Sequence, residues 1–191
     1  MRIRRKVRLV RRYVAQFMTD EDYEKSSKRE VAVKTEIEKL SNDKLIVELE
    51  GYGAGIPKKF KTHIPYDPNA PRSLDLKIED IAVIVEVMGS DRYTFKNSGF
   101  FPVAEDKVER ARRDKANKTY FVFVLDLENQ PNKWWINSKD CERHEIIKDF
   151  QTIYGPQDIY KTDKYAWTRE LGKLVKELLK FKGHSHQKTL M

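Results

Sequence analysis

The sequence predicts an α/β protein in which a mixed β-sheet is flanked by helices and followed by a C-terminal helix. Three observations carry this: an apolar strand pair around V-I-V-E-V, a continuous apolar run T-Y-F-V-F-V-L-D-L, and helical stripes near both ends. The chain has 191 residues, which suits a single domain with small appendages, and at 39% hydrophobic and 11% aromatic it can build a core. The organisation expected is a basic arm or first element over 1–24, a core over 25–140, and a helical extension with a tail over 141–191.

Residues 1–19 set Ile3, Val7, Leu9, Val10 and Val14 among Arg2, Arg4, Arg5, Lys6, Arg8, Arg11 and Arg12. A strand and an amphipathic helix both fit, and the segment reads either as an arm for a phosphate backbone or as a solvated face. Ser26 and Ser27 with Glu30 read as a capping box opening a helix to Leu40. Val33, Ile37 and Leu40 share a face at i, i+4 and i+7, and Glu30 lies on it. Asn42-Asp43 marks a turn and Leu45–Leu49 a strand. Gly51, Gly53, Gly55 and Pro57 make a loop that lacks the G-K-[ST] of a phosphate-binding loop. Phe60–Pro65 reads as extended, and Y-D-P-N-A-P-R as a turn.

Two strands follow, Leu74–Ile78 and Ile81–Met88, joined at Glu79-Asp80. Side chains alternate faces along a strand, so Asp75, Lys77, Ala82, Ile84, Glu86 and Met88 share one face. A glutamate inside V-I-V-E-V is costly to bury unless it is paired or binds a metal. Asp75 and Glu86 therefore form a candidate metal site. Arg92–Phe95 is extended, Ala104–Ala116 a helix, Thr119–Leu127 a strand buried on both faces, and Trp134-Trp135-Ile136 a further strand. One of the adjacent tryptophans is expected in the core, with packing the better reading for the other. A last helix is expected over Asp163–Lys182, with Trp167, Leu171, Leu174, Val175, Leu178 and Leu179 as its apolar stripe. His184 and His186 in the tail read as incidental.

Lys and Arg number 38 against 30 acidic residues, a net charge of +8, which suits a polyanionic partner such as nucleic acid. Cys141 is the single cysteine, so neither an intramolecular disulfide nor a cysteine zinc cluster forms. Neither Cys141 nor His144 stands in a nucleophile-elbow context, and His63 reads as a surface histidine. No apolar run approaches the ~20 residues that span a bilayer, and the basic N-terminus lacks a signal-peptide core. The expectation is a cytoplasmic protein with no membrane association.

The order helix, strand, hairpin with D-(x10)-E, helix, buried strand, strand resembles the PD-(D/E)xK nuclease superfamily, which includes restriction endonucleases and Holliday-junction resolvases. The resemblance covers roughly residues 25–140. It implies a restriction-endonuclease-like fold and an Mg²⁺- or Mn²⁺-dependent endonuclease that hydrolyses phosphodiester bonds in DNA. Asp75 and Glu86 match its metal-binding carboxylates, and Glu30 matches the helical glutamate of the resolvase branch. Hard oxygen ligands suit Mg²⁺, which needs only one or two carboxylates. The motif lysine, two residues after Glu86, is here Met88, and a thioether cannot take its role. Lys77, Lys96 and Lys107 are the candidate replacements, Lys107 preferred because the helix after the Glu86 strand packs over the site. A second reading makes Met88 the mark of lost activity in a protein that still binds nucleic acid. A third is an unrelated α/β protein in which Glu86 pairs with Lys77 or an arginine. A homodimer fits cutting of both strands, and the Gly51–Gly55 loop and basic arm are candidate substrate contacts.

Overall fold

The structure, a computed structural model, describes residues 20–49, 75–78, 80–90, 97–127, 130–152 and 155–188. Expectations for the basic arm, the Gly51–Gly55 loop, His63, the Tyr66–Arg72 turn, Arg92–Phe95 and Lys96 lie outside these residues, as do those for the side chains of His184 and His186.

Helix α1 spans Asp20–Leu40, so it begins before the expected cap. Ser26 sits inside the helix instead, where its Oγ donates to Glu30 Oε1 one turn on at 3.3 Å. The Asn42-Asp43 turn is present, with φ of 52° and 55°, the left-handed region these two residue types tolerate best after glycine. The chain continues through β1 (Val47–Leu49), β2 (Leu76–Ile78) and β3 (Val83–Ser90), then β4 (Phe100–Ala104) and α2 (Glu105–Arg113). Strands β5 (Lys118–Leu127) and β6 (Gln130–Asn137) follow, then a short α3 (Ser138–Cys141). Strands β7 (Glu145–Thr152) and β8 (Gly155–Asp163), a 3₁₀ turn (Lys164–Ala166), β9 (Thr168–Arg169) and α4 (Leu171–Lys188) complete it.

The fold is mixed α/β with a C-terminal helix. Six strands form a mixed sheet in the order β1-β2-β3-β5-β6-β9, in which β3 and β5 run parallel and the other pairs antiparallel. A second, antiparallel sheet has the order β4-β8-β7. The sequence predicts no strand after Ile136 and a last helix from Asp163; the chain instead forms β7, β8 and β9 there, and the helix starts at Leu171. Trp167 accordingly lies before the helix, with its Nε1 donating to Thr162 Oγ1 at 2.9 Å.

Alternation along β3 and β5 sorts the core into two layers. Val83, Val85, Val87, Tyr120, Val122 and Val124 face a cluster completed by Val33 and Ile37 of α1 and by Leu171, Leu174, Val175 and Leu178 of α4. Each such fully buried aliphatic side chain contributes about 1.5–3 kcal/mol. Phe121, Phe123 and Leu125 face a second cluster with Phe101 and Val103 of β4, Val108 of α2, Ile136, Cys141, Tyr160 and Trp167. Strand β5 is thus buried on both faces, as its unbroken apolar run requires. Both neighbouring tryptophans pack, Trp134 against the second cluster and Trp135 against the first. At Gly89 a Cβ would lie 2.5 Å from Arg29 Cδ and 2.7 Å from Val124 O, so only glycine lets α1 and β5 approach the end of β3 this closely.

Candidate active site on the hairpin and the following helix

The hairpin turn is longer than the sequence suggested. Residues 79–82 separate β2 from β3, and the register pairs Leu76 with Val85, Lys77 with Ile84 and Ile78 with Val83. That is a slip of two residues from a turn at Glu79-Asp80 alone. An even slip preserves the faces. Continued by one residue, it sets Asp75 opposite Glu86, so the carboxylates are direct cross-strand neighbours. Ala82 leaves the shared face and lies exposed in the turn.

Asp75 stands just before β2, where the ladder to β3 has no further backbone partner. Its Oδ2 accepts a hydrogen bond from the Val87 amide at 2.7 Å, which fixes the carboxylate beside Glu86. Glu86 points into the second face and its side chain is 2% exposed. Helix α2 crosses above it. Lys107 Nζ donates to Glu86 Oε2 at 2.6 Å and lies 3.6 Å from Asp75 Oδ2. Arg110, one turn on, brings Nη2 to 3.2 Å from Glu86 Oε1. That oxygen accepts no hydrogen bond, so Arg110 holds it by charge alone. The Lys107 side chain is 26% exposed, and the cluster opens to solvent on that side, beside a shallow pocket lined by Ile84, Glu86, Lys107, Arg110, Ala111, Asp114 and Thr119.

Burial raises the Asp75 carboxyl above its usual range; Lys107 opposes the shift and the Glu86 charge adds to it. Burial by itself would lower Lys107, but Asp75 and Glu86 outweigh it and hold the ammonium protonated well above its ordinary range. A lysine in that state stabilises negative charge and does not serve as a base at neutral pH.

The structure thus brings together Asp75, Glu86 and Lys107. Lys77 projects from the same face, opposite Ile84, one cross-strand step from Glu86. Glu30 is not brought to the cluster: it is buried on the α1 stripe with Val33 and Ile37, which pack with Val83, Val85 and Val87, whereas Glu86 leaves the opposite face of β3. Arg110 joins the cluster without having been expected from the sequence. Its spacing of three from Lys107 was the available signal, but α2 carries four cations in nine residues, so spacing alone could not select it. Cys141 is buried in the second core, where burial pushes its thiol up to about 12, and His144 Nδ1 accepts from the Asp163 amide at 3.3 Å. Neither is placed for nucleophilic chemistry.

Two carboxylates of adjacent strands supply the donor type Mg²⁺ takes, and among the described residues no larger His/Cys/Asp/Glu cluster competes with them. Comparison with protein-family models, with curated proteins and with solved structures finds no significant match. No helix among the described residues is long and apolar enough to cross a membrane.

Proposed function

We propose that this protein is a metal-dependent endonuclease of the PD-(D/E)xK type, acting on DNA, with a restriction-endonuclease-like core. The observation that carries the reading is the convergence of Asp75, Glu86 and Lys107, with the lysine 2.6 Å from one carboxylate and 3.6 Å from the other. The resemblance required a cation to replace the motif lysine at Met88, and α2 supplies one in contact with both acids. The element order on which the resemblance rests supports it further: helix, strand, hairpin, helix, buried strand, strand, with β4 inserted before α2.

In this reading Asp75 and Glu86 would hold a divalent cation, which would supply Lewis acidity to neutralise phosphate charge and to lower the pKa of an attacking water. Asp75 is kept in place by the Val87 amide and Glu86 by the rigid interior of β3. Lys107 and Arg110 present positive charge on the open side, where a phosphodiester undergoing attack gains negative charge. The net charge of +8 suits approach to such a polyanion.

The test is incubation with supercoiled, linear and branched DNA in Mg²⁺, Mn²⁺ or EDTA, beside Asp75→Ala and Glu86→Ala. Metal-dependent cutting that both variants lose is the expected result. Absence of cutting in every metal overturns the reading.

One observation favours two other readings alike: Lys107 and Arg110 already pair both oxygens of Glu86, as in a nuclease-fold protein that binds nucleic acid without cutting or in an unrelated α/β protein whose Glu86 is held by an arginine. The first of these predicts steeply salt-dependent binding and no cleavage, the other neither behaviour.

A further inference from the structure

The cleft between Asp75 and Glu86 already contains a cation. Lys107 Nζ lies 2.6 Å from Glu86 Oε2 and 3.6 Å from Asp75 Oδ2, within ion-pair distance of both carboxylates. Arg110 takes the remaining Glu86 oxygen at 3.2 Å. Formal charges cancel within the group: two carboxylates against one ammonium and one guanidinium. As folded, the cluster is electrically complete.

We propose that Lys107 and a divalent cation exclude one another from the Asp75–Glu86 cleft, so that Lys107 turns outward on metal entry and becomes a phosphate-binding cation. The inference rests on the metal-dependent reading given above and assigns to that site an order of binding. The lysine can make this movement. It hangs on four methylenes from the first turn of α2, and its side chain is 26% exposed, so its way to solvent is open. Glu86, by contrast, is 2% exposed in the middle of β3 and cannot follow.

Adding a divalent cation takes the cluster from neutral to a net +2, and the displaced Lys107 then faces the opening beside Arg110. The site becomes a receptor for an anion only once the metal is in. Metal and phosphodiester binding therefore assist one another, and reciprocally, because each changes the other's affinity by the same factor.

Two measurements test this. In the first, the Mn²⁺ affinity of wild type is compared with that of Lys107→Met and Lys107→Gln by electron paramagnetic resonance, without nucleic acid. Removing the competing ammonium is expected to tighten Mn²⁺ by about tenfold or more, or ~1.4 kcal/mol. Equal or weaker binding by folded variants overturns the exchange. The second needs no variant, so it stands even where the substitutions fail to fold. Wild type is labelled with an amine-acylating reagent with and without Mg²⁺, and modification at Lys107 is read by mass spectrometry. Labelling several-fold faster with Mg²⁺ is expected, and an unchanged or slower rate overturns the proposal. Metal-dependent cleavage by a wild type whose Lys107 labelling ignores Mg²⁺ would remove the exchange and leave the nuclease. Absence of both Mn²⁺ binding and cleavage in wild type would remove both.

Discussion

Along β3 the odd-numbered Val83, Val85 and Val87 enter one core layer, whereas the even-numbered Ile84, Glu86 and Met88 enter another that ends in charge. The first layer is mainly aliphatic, with Tyr120 among its members, is closed by α1 and α4, and depends on volume and burial. The second begins with stacked aromatics, Phe101 on Phe123 with ring centroids 4.3 Å apart, and gives way at α2 to four charged groups. One strand therefore serves both layers, and the face a side chain leaves decides its task. A carboxylate is tolerated at Glu86 because α2 answers it with Lys107 and Arg110, whereas Val85 lies in the first core cluster.

The sharpest way to break this comparison is to move the acid by one residue. Val85→Glu would bury a carboxylate beside Leu76 and Tyr120 in the first cluster, on the face of β3 opposite Lys107 and Arg110, at a cost of several kcal/mol. Loss of folded protein at neutral pH is the expected outcome by circular dichroism. A normally stable variant would show that the two faces do not differ as described.

Next in size is Lys107→Met, which removes the cation from the charged face and leaves the aliphatic layer untouched. Cleavage is expected to fall about 10²–10³-fold per folded molecule, the usual effect of deleting one preorganised charge-stabilising group. Full retained activity would transfer the role to Lys77 or to Arg110.

The smallest effect concerns Cys141, which belongs to the aromatic end of the same layer. Burial lifts its thiol from 9.0 to about 12. A raised folded-state pKa means that the stability of the neutral thiol is complete below about pH 9 and is lost as pH climbs toward 12. The alkaline decline of the urea midpoint should be shallower in Cys141→Ala than in wild type. Equal slopes would contradict the burial of this thiol.

The strand period made the candidate cluster legible in the sequence. Parity alone placed Asp75, Lys77, Glu86 and Met88 on one side, and the two-residue slip in register left that conclusion intact while making Asp75 and Glu86 direct neighbours. Lys107 was legible because a helix that follows a strand packs back over its sheet. Arg110 was not, among Lys107, Arg112 and Arg113 on the same short helix. The β7–β8 hairpin escaped for a different reason. Its alternation is broken by a register shift between Ile147 and Phe150, where Asp149 has φ 52° and its amide bonds the Asp158 carboxylate at 3.0 Å. Trp167 misled because its spacing of four and seven from Leu171 and Leu174 copies a helical stripe, although a 3₁₀ turn and β9 precede α4.

The most direct measurement sets one substitution from each layer side by side. Glu86→Gln changes only the charge of the buried side chain, and Leu174→Ala removes about 2–5 kcal/mol of packing from the far face. Nicking of supercoiled DNA in Mg²⁺ is followed at a temperature where both remain folded. Leu174→Ala is expected to cut at the wild-type rate per folded molecule, and Glu86→Gln not to cut. Cutting by Glu86→Gln at the wild-type rate would contradict this.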